Sequence, residues 1–281
     1  MRRLRIGWAA ILAVGAGAQA AAAPPRRIVS LNLCTDQLLL AVADRGQIAG
    51  LSRNATDPAM SAAAGAARGL HLMSDAVEEV LAIDPDLVVG ASPARADLLA
   101  RLAGRPYRTL DLAYSQSYAE IVANLRAMAR AVGHPARGEA LVARMNAALA
   151  RLPRVGGGRV AADYQRRGYL TGTGTLVDEL MGRVGLVNLA HRLGTPVLAQ
   201  LPLETLVAAR PDYLIVADGA GHVVDQGTEM LHHPALAPIA RLHLPEAWTV
   251  CGGPFYVDAA WRLARQIEGR RPHQKATRTP P

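Results

Sequence analysis

The sequence predicts an α/β protein of two similar lobes, each a mostly parallel sheet with helices, joined by a single long α-helix with a ligand cleft between them. Three observations carry that prediction. The stretch Glu78 to Val89 recurs 126 positions later as Glu204 to Ile215, each copy reading as a short helix opened by an acid, stopped ahead of a proline and followed by a buried apolar strand. Strands and helices alternate through both halves of the chain, the pattern of a parallel α/β sheet. A helical stretch separates the halves, and a repeat this widely spaced marks two lobes rather than a solenoid.

In chain order, Arg27 to Leu31 reads as a first strand and Thr35-Asp36 opens a helix to about Ala43. Further strands are read at Ile48 to Ser52, Leu87 to Gly90 and Arg108 to Leu112. Ligands in such sheets sit beyond the carboxyl ends of the strands, here Asn32 to Cys34, Arg53-Asn54, Ser92 to Arg95 and Tyr114. From Tyr118 the residues Ile121, Val122, Leu125, Met128, Ala129 and Val132 fall at helical spacing. Gly133 ends that helix. Pro135, whose fixed φ suits a first helical position, starts a rod of about 27 Å to Leu152. Residues 153 to 158 break the pattern and mark the lobe boundary. A single rigid helix between lobes predicts modest lobe movement.

The second lobe repeats the plan with strands Arg159 to Asp163, Tyr169 to Thr171, Tyr213 to Ala217 and Trp248 to Val250. Its helices are Thr175 to Val184 and Tyr256 to Ile267, and its cleft-facing ends are Tyr164 to Arg167, Thr173, Asp218 to His222 and Trp248 to Cys251.

The chain ends are set apart by composition. Residues 1–23 have Arg2, Arg3 and Arg5, an apolar run from Ile6 to Val14 and a small-residue exit at Ala18-Gln19-Ala20, the layout of a secretory signal peptide. That apolar run is far short of the ~20 residues a membrane span needs. Residues 269–281 hold Arg270, Arg271, Lys275 and Arg278 without an acid and are expected to be a disordered tail. With the three arginines of the leader and the four cations of the tail set aside, the formal charge of +8 falls to +1 for the body. No phosphate-binding stripe is therefore indicated, and nucleic acid is not an expected partner. The organisation is thus a signal peptide at 1–23, an N-terminal lobe at 24–133, a connecting helix at 134–153, a C-terminal lobe at 154–268 and a tail at 269–281. Export would bring Cys34 and Cys251 into an oxidising compartment. Whether they pair is left open by the sequence, and two partly buried thiols are the simpler expectation.

Catalytic and cofactor motifs are weak or missing. Thr171-Gly172-Thr173-Gly174-Thr175-Leu176-Val177 follows a strand and opens a helix, yet Val177 stands where a dinucleotide loop needs its third glycine. The simpler reading is a tight turn whose small residues let a ligand or the facing lobe come close. There is no His-Glu-x-x-His, no paired Cys-x-x-Cys and no Gly-x-Ser-x-Gly. His232-His233 precede Pro234 in a turn, and His222 lies at a predicted strand end. A Cys34/Cys251/His222 cluster would suit a soft metal if the side chains met. Glu78, Glu79 and Glu204 open helices, where the dipole favours a carboxylate.

Taken together, Arg27 to Leu31, Pro85-Asp86-Leu87-Val88-Val89, the linking helix, Leu170 to Thr175 through Gly185 to Asn188, and Pro211-Asp212-Tyr213-Leu214-Ile215 resemble the periplasmic substrate-binding proteins of ABC importers for metal chelates: ferric siderophores, haem and cobalamin. The resemblance covers most of residues 26–268. It implies two Rossmann-like lobes joined by one helix, a chelate held between them by a monomer, and delivery to an inner-membrane permease. It also implies that an acid on each lobe, Glu204 and either Glu78 or Glu79, meets permease arginines. Residues 183–188 depart from the pattern with one glycine where members often show two.

The ligand-binding candidates are Asn32, Cys34, Arg53, Arg95, Tyr114, Tyr164, Arg166, Thr173, His222, Trp248 and Cys251. Aromatic content is only 4%, with Tyr114, Tyr164, Trp248, Phe255 and Tyr256 as the available walls for a macrocycle. Arg53, Arg95, Arg166 and Arg167 are placed to hold an anionic chelate. The leading expectation is a non-catalytic carrier with no cofactor or resident metal. The alternative is an exported metal chelatase on a related fold, resting on Asp163, Asp218 and His222. Capture of a bare metal ion is disfavoured because histidines and acids show no ligand spacing.

Overall fold

The structure is a computed structural model of the 281-residue chain and describes residues 23–74, 76–91, 107–221 and 225–270. The signal peptide apart from Ala23, the tail beyond Arg270, and the candidates Arg95 and His222 lie outside the described residues.

The first sheet holds β1 (Ile28–Ser30), β2 (Ile48–Gly50), β3 (Leu87–Ala91) and β4 (Arg108–Leu112) in the order β2-β1-β3-β4. Every pair in it is parallel. Its helices are α1 (Leu33–Val42), α2 (Ala64–Ala67) and α3 (Val77–Ile83). Side-chain alternation divides the strands between two faces: Ile28, Leu87 and Val89 enter the main core, while Val29 and Val88 enter a small cluster with Met73 and Val80.

Two helices follow, α4 (Tyr118–Ala131) and α5 (Pro135–Ala150), the latter about 24 Å long. Ser117 and Glu120 form a capping box at the start of α4, and Pro135 occupies the first turn of α5. The two helices pack closely at Gly138, where a Cβ would lie 2.5 Å from that of Ala129.

The second sheet holds β5 (Val160–Asp163), β7 (Val187–Asn188), β9 (Tyr213–Ala217) and β10 (Ala240–Leu244) in the order β10-β9-β5-β7, again all parallel. The remaining strands, β6 (Tyr169–Thr171) and β8 (Leu198–Gln200), form a separate antiparallel ribbon. Helices α6 (Leu176–Arg183), α7 (Leu189–Leu193), α8 (Leu203–Ala209), α9 (Gln226–Glu229) and α10 (Tyr256–Gly269) complete the lobe. Helix α10 buries Tyr256, Ala259, Ala260, Leu263, Ala264 and Ile267, a stripe at helical spacing.

The final strand corrects the expected Trp248 to Val250. It ends at Leu244, Pro245 follows, and Trp248 sits in a 3-10 turn, Glu246–Trp248. Proline cannot donate to the ladder, so the run of β structure stops there.

The repeated stretch is the same device in both lobes. Helices α3 and α8 each end in a non-glycine residue in the left-handed region, Asp84 at φ 50° and Arg210 at φ 44°, directly ahead of Pro85 and Pro211. The next aspartate then ties its strand to the neighbour's start. Asp86 accepts from the backbone of Arg26 and Arg27 at 2.7 and 2.9 Å, and Asp212 from that of Val160 at 2.7 Å. The Pro-Asp pair thus stops a helix and aligns the two central strands of each sheet.

One apolar cluster runs through both lobes, from Ile28 and Leu39 through Leu125 and Met145 to Leu180, Ile215 and Leu263. Tyr118 on α4 donates its backbone N–H to Glu179 on α6 at 2.7 Å and stacks on Tyr256 with centroids 5.6 Å apart. Arg183 bonds Glu179 and the Tyr256 hydroxyl and lies over the Tyr118 ring. The lobes therefore share a core, which agrees with modest lobe movement.

Candidate functional site

The carboxyl ends of strands from both sheets meet at a cleft with two adjoining compartments of about 380 and 490 Å³. The first is walled by Cys34 and Thr35 on α1, Leu112 to Gln116 after β4, the start of α6, and Val197-Leu198 at the ribbon. The second lies over the ends of β5, β9 and β10, with Asp163, Ala217, Asp218, Leu244 and Pro245 in its lining and Pro58-Ala59 of the first lobe opposite. Gln165, Val177, Glu246 and Thr249 face both compartments.

A disulfide joins Cys34 to Cys251 and spans the cleft between the lobes. The expectation of two thiols is corrected: α1 and the turn after β10 bring the sulfurs together, although 217 positions separate them in sequence. Bonded sulfurs are not thiolates, so the soft-metal cluster of Cys34, Cys251 and His222 loses its ligands. The bridge also forms part of the first compartment's wall through Cys34.

Five of the remaining candidates are placed differently from expectation. Asn32 caps α1, its Oδ1 accepting from the backbone of Cys34 and Thr35 at 3.0 Å each, so the helix starts earlier than Thr35 and Asn32 lines neither compartment. Tyr164 is fully buried in the floor of the second compartment and donates its hydroxyl to the Leu201 carbonyl at 3.0 Å. Thr173 and Trp248 are absent from both linings, where Thr171, Thr175 and Thr249 stand instead. Trp248 packs against the core with the Arg262 guanidinium 5.7 Å from its ring. Arg53 is exposed and lines neither compartment.

The candidates that line the cleft are Cys34 and Tyr114 in the first compartment and Arg166, together with the buried Tyr164, in the second. Tyr114 is 42% exposed at the rim, beside Val197, Leu198 and Val250. Arg166 forms an ion pair with Asp225. At the glycine turn, Gly172 is crossed by the backbone of Pro196 and Val197 and donates its N–H to the Val197 carbonyl at 2.8 Å, which holds the ribbon against it. A Cβ there would sit 1.6 Å from the Pro196 oxygen.

The carboxylates of the cleft gather in the second compartment, where Asp163, Asp218, Asp225 and Glu246 stand in the lining. Asp163 is buried, accepts from Thr171 Oγ1 and from Gln165 Nε2 at 3.3 Å, and is held above the usual carboxylate range by its burial. Asp218 accepts two bonds of 2.8 Å from Arg262. Glu246 is exposed between the compartments, and among the described residues no ion pair or side-chain hydrogen bond engages its carboxylate. Among the described residues no three His, Cys, Asp or Glu are placed to hold a metal ion.

Sequence reasoning missed Glu246 and the Val197-Leu198 edge, and it placed Gln165 and Thr249 within the predicted cleft ends without singling them out. The ribbon was illegible because β8 is three residues of antiparallel strand in a chain otherwise patterned for parallel sheets. Pro245, following the alternation of Ala240 to Leu244, was the available signal for Glu246.

The helix-opening acids differ from each other. Glu79 is partly buried and bonded to His71 Nε2 at 2.8 Å and to the backbone and hydroxyl of Ser74 at 2.7 and 2.6 Å, chiefly the Ser74 contacts lowering its pKa. Glu78 and Glu204 are exposed.

The family described as Periplasmic binding protein matches residues 28–239. No curated protein matches the chain. Among solved structures, the apo form of the periplasmic heme-binding protein RhuT from Roseiflexus sp. RS-1 is 24% identical with a TM-score of 0.71, covering 87% of this chain and 98% of its own. A periplasmic heme-binding protein from Pseudomonas aeruginosa is 22% identical with a TM-score of 0.67, over 88% and 94% of the two chains. The periplasmic vitamin B12 binding protein BtuF of Vibrio cholerae is 17% identical with a TM-score of 0.63, over 87% and 97%. These likenesses agree with the fold, and the family match extends from the first strand of one lobe nearly to the last strand of the other. Its two parallel sheets, joined through α4 and α5 and facing a common cleft, place the chain in the periplasmic binding protein family.

Proposed function

We propose that this protein is a periplasmic solute carrier that captures a metal chelate in the cleft and delivers it to an ABC-transporter permease in the inner membrane. The observation that carries the reading is the cleft itself, two adjoining compartments walled by strand ends of both lobes and edged by exposed apolar side chains. Such a concave, partly apolar space suits a ligand larger than an ion or a simple anion. The solved structures named above, described as binding heme or vitamin B12, favour a chelate as that ligand. Metal enters as part of the cargo.

Export through the leader at 1–23 and action as a monomer belong to the same reading. Docking to the permease is assigned to Glu78 on α3 and Glu204 on α8, the exposed acids of the duplicated unit, rather than to Glu79, whose carboxylate is committed to Ser74 and His71. Catalysis is not part of the proposal. Of the groups on which the chelatase alternative rested, Asp163 is held by Thr171 and Gln165, Asp218 by Arg262, and His222 lies outside the described residues.

Titration of the mature protein with haemin, cobalamin and ferric siderophores, followed by fluorescence of Trp248, next to the cleft-lining Thr249, and Trp261, tests the reading. Saturable, stoichiometric quenching by at least one chelate is expected. The reading is abandoned if none binds tighter than about millimolar.

A further inference from the structure

Among the described residues, four of the six exposed large hydrophobics, Tyr114, Val197, Leu198 and Val250, edge the first compartment. Exposed apolar groups gathered at one opening mark a contact surface rather than scattered noise. The second compartment differs in chemistry. Asp163, Asp218, Asp225 and Glu246 line it, and Arg166 is the one cation in the described lining, already paired with Asp225. Arg262 reaches Asp218 from behind and is not part of the lining.

Glu246 stands where the two spaces join, facing both, with its carboxylate uncommitted. Thr249 and Gln165 share that junction, so the polar groups a ligand meets there are a carboxylate, a hydroxyl and an amide. A carboxylate accepts hydrogen bonds and donates none. It therefore favours N–H donors or positive charge, and a second anion set against it is repelled with no free cation in the described lining to offset the charge.

Resting on the reading of the cleft as a chelate site, we propose that its ligand is bipartite and not anionic: an apolar-faced chelate seated against the Tyr114 rim, with amide or amine N–H groups reaching Glu246 and the acid-lined second compartment. This replaces the expectation of an anionic chelate held by Arg53, Arg95, Arg166 and Arg167: Arg53 and Arg167 lie outside both linings, Arg166 is paired with Asp225, and Arg95 lies outside the described residues.

The test is calorimetric titration of the mature protein with four probes: amide-rich cyanocobalamin, amine-bearing ferrioxamine B, propionate-bearing haemin, and an anionic ferric tris-catecholate. At least one of the first two is expected to bind ten or more times tighter than both anionic probes, about 1.4 kcal/mol or more. Glu246→Gln, at an exposed position that leaves the fold intact, is expected to narrow that gap by weakening the N–H-bearing ligand and strengthening the anionic ones. Tighter binding of haemin or the catecholate, or a gap unchanged in Glu246→Gln, overturns the inference while leaving the chelate-carrier reading standing. Binding of none of the four overturns the inference, and failure of all other chelates in the fluorescence titration overturns the carrier reading with it.

Discussion

Loss of the Cys34–Cys251 bridge should lower thermal stability sharply without opening the native structure. The bond closes a loop of 217 positions, and the chain-entropy relation for a loop of that length gives roughly 5 kcal/mol of stabilisation, through restriction of the unfolded state. For a domain of this size each kcal/mol moves Tm by about 2–4 °C, so the drop should be about 10–20 °C. The folded lobes should stay together because the apolar cluster containing Leu125, Leu180 and Leu263, with the Tyr118–Glu179 and Arg183–Tyr256 bonds, joins them independently of the sulfurs. Thermal melts followed by far-UV circular dichroism would compare the oxidised protein, the same protein under a phosphine reductant, and Cys34→Ala/Cys251→Ala. The reduced wild type isolates the cross-link from lost packing, because both sulfurs remain. Melting of the reduced protein within about 3 °C of the oxidised form would refute the reasoning, since the bridge would then restrict no unfolded freedom that matters.

Other outcomes follow from particular residues. Gly172→Ala would drive a methyl into the Pro196 carbonyl and should cost about 3 kcal/mol in denaturant unfolding while lifting the β6–β8 ribbon off the cleft. Burial raises the pKa of Asp163 above 3.8, so the folded state holds more proton than the unfolded one from that value up to the raised pKa, and stability falls as pH rises through that window. Asp163→Asn should flatten that dependence and melt above the wild type at neutral pH; an unchanged pH profile would show that the group is not buried as a carboxylate. Glu78→Arg with Glu204→Arg should reduce chelate uptake in whole cells by tenfold or more, about 1.4 kcal/mol of lost docking, with ligand affinity retained. Glu79→Arg should instead lower the melting temperature, because His71 and Ser74 lose their acceptor.

The fold was largely legible because its signals are local and repeated. Strands Arg108 to Leu112, Tyr169 to Thr171 and Tyr213 to Ala217 fall where hydrophobic runs and turn residues put them, and the Pro-Asp motif marks the same helix-to-strand junction in each lobe. The site was less legible because its walls come from segments far apart in sequence. Tyr114, Cys34 and Arg166 were found at strand ends, whereas Asn32 and Tyr164 also sit at strand ends but spend the Asn32 Oδ1 on a helix cap and the Tyr164 hydroxyl on a backbone carbonyl. Glu246 was hidden by a strand placed several residues too late, and the disulfide by a separation that carries no local signal. Strand-end logic finds the neighbourhood of a cleft. Which side chains face it is settled by tertiary packing.

The central claim, that the cleft carries a metal chelate, is tested most directly by native mass spectrometry of the protein purified from the exporting cell without chelators. The account predicts one small molecule per chain, with the isotope pattern of a bound metal and loss of the adduct on mild denaturation. A ligand-free chain that also fails to acquire mass on incubation with cobalamin, haemin or a ferric siderophore would contradict it.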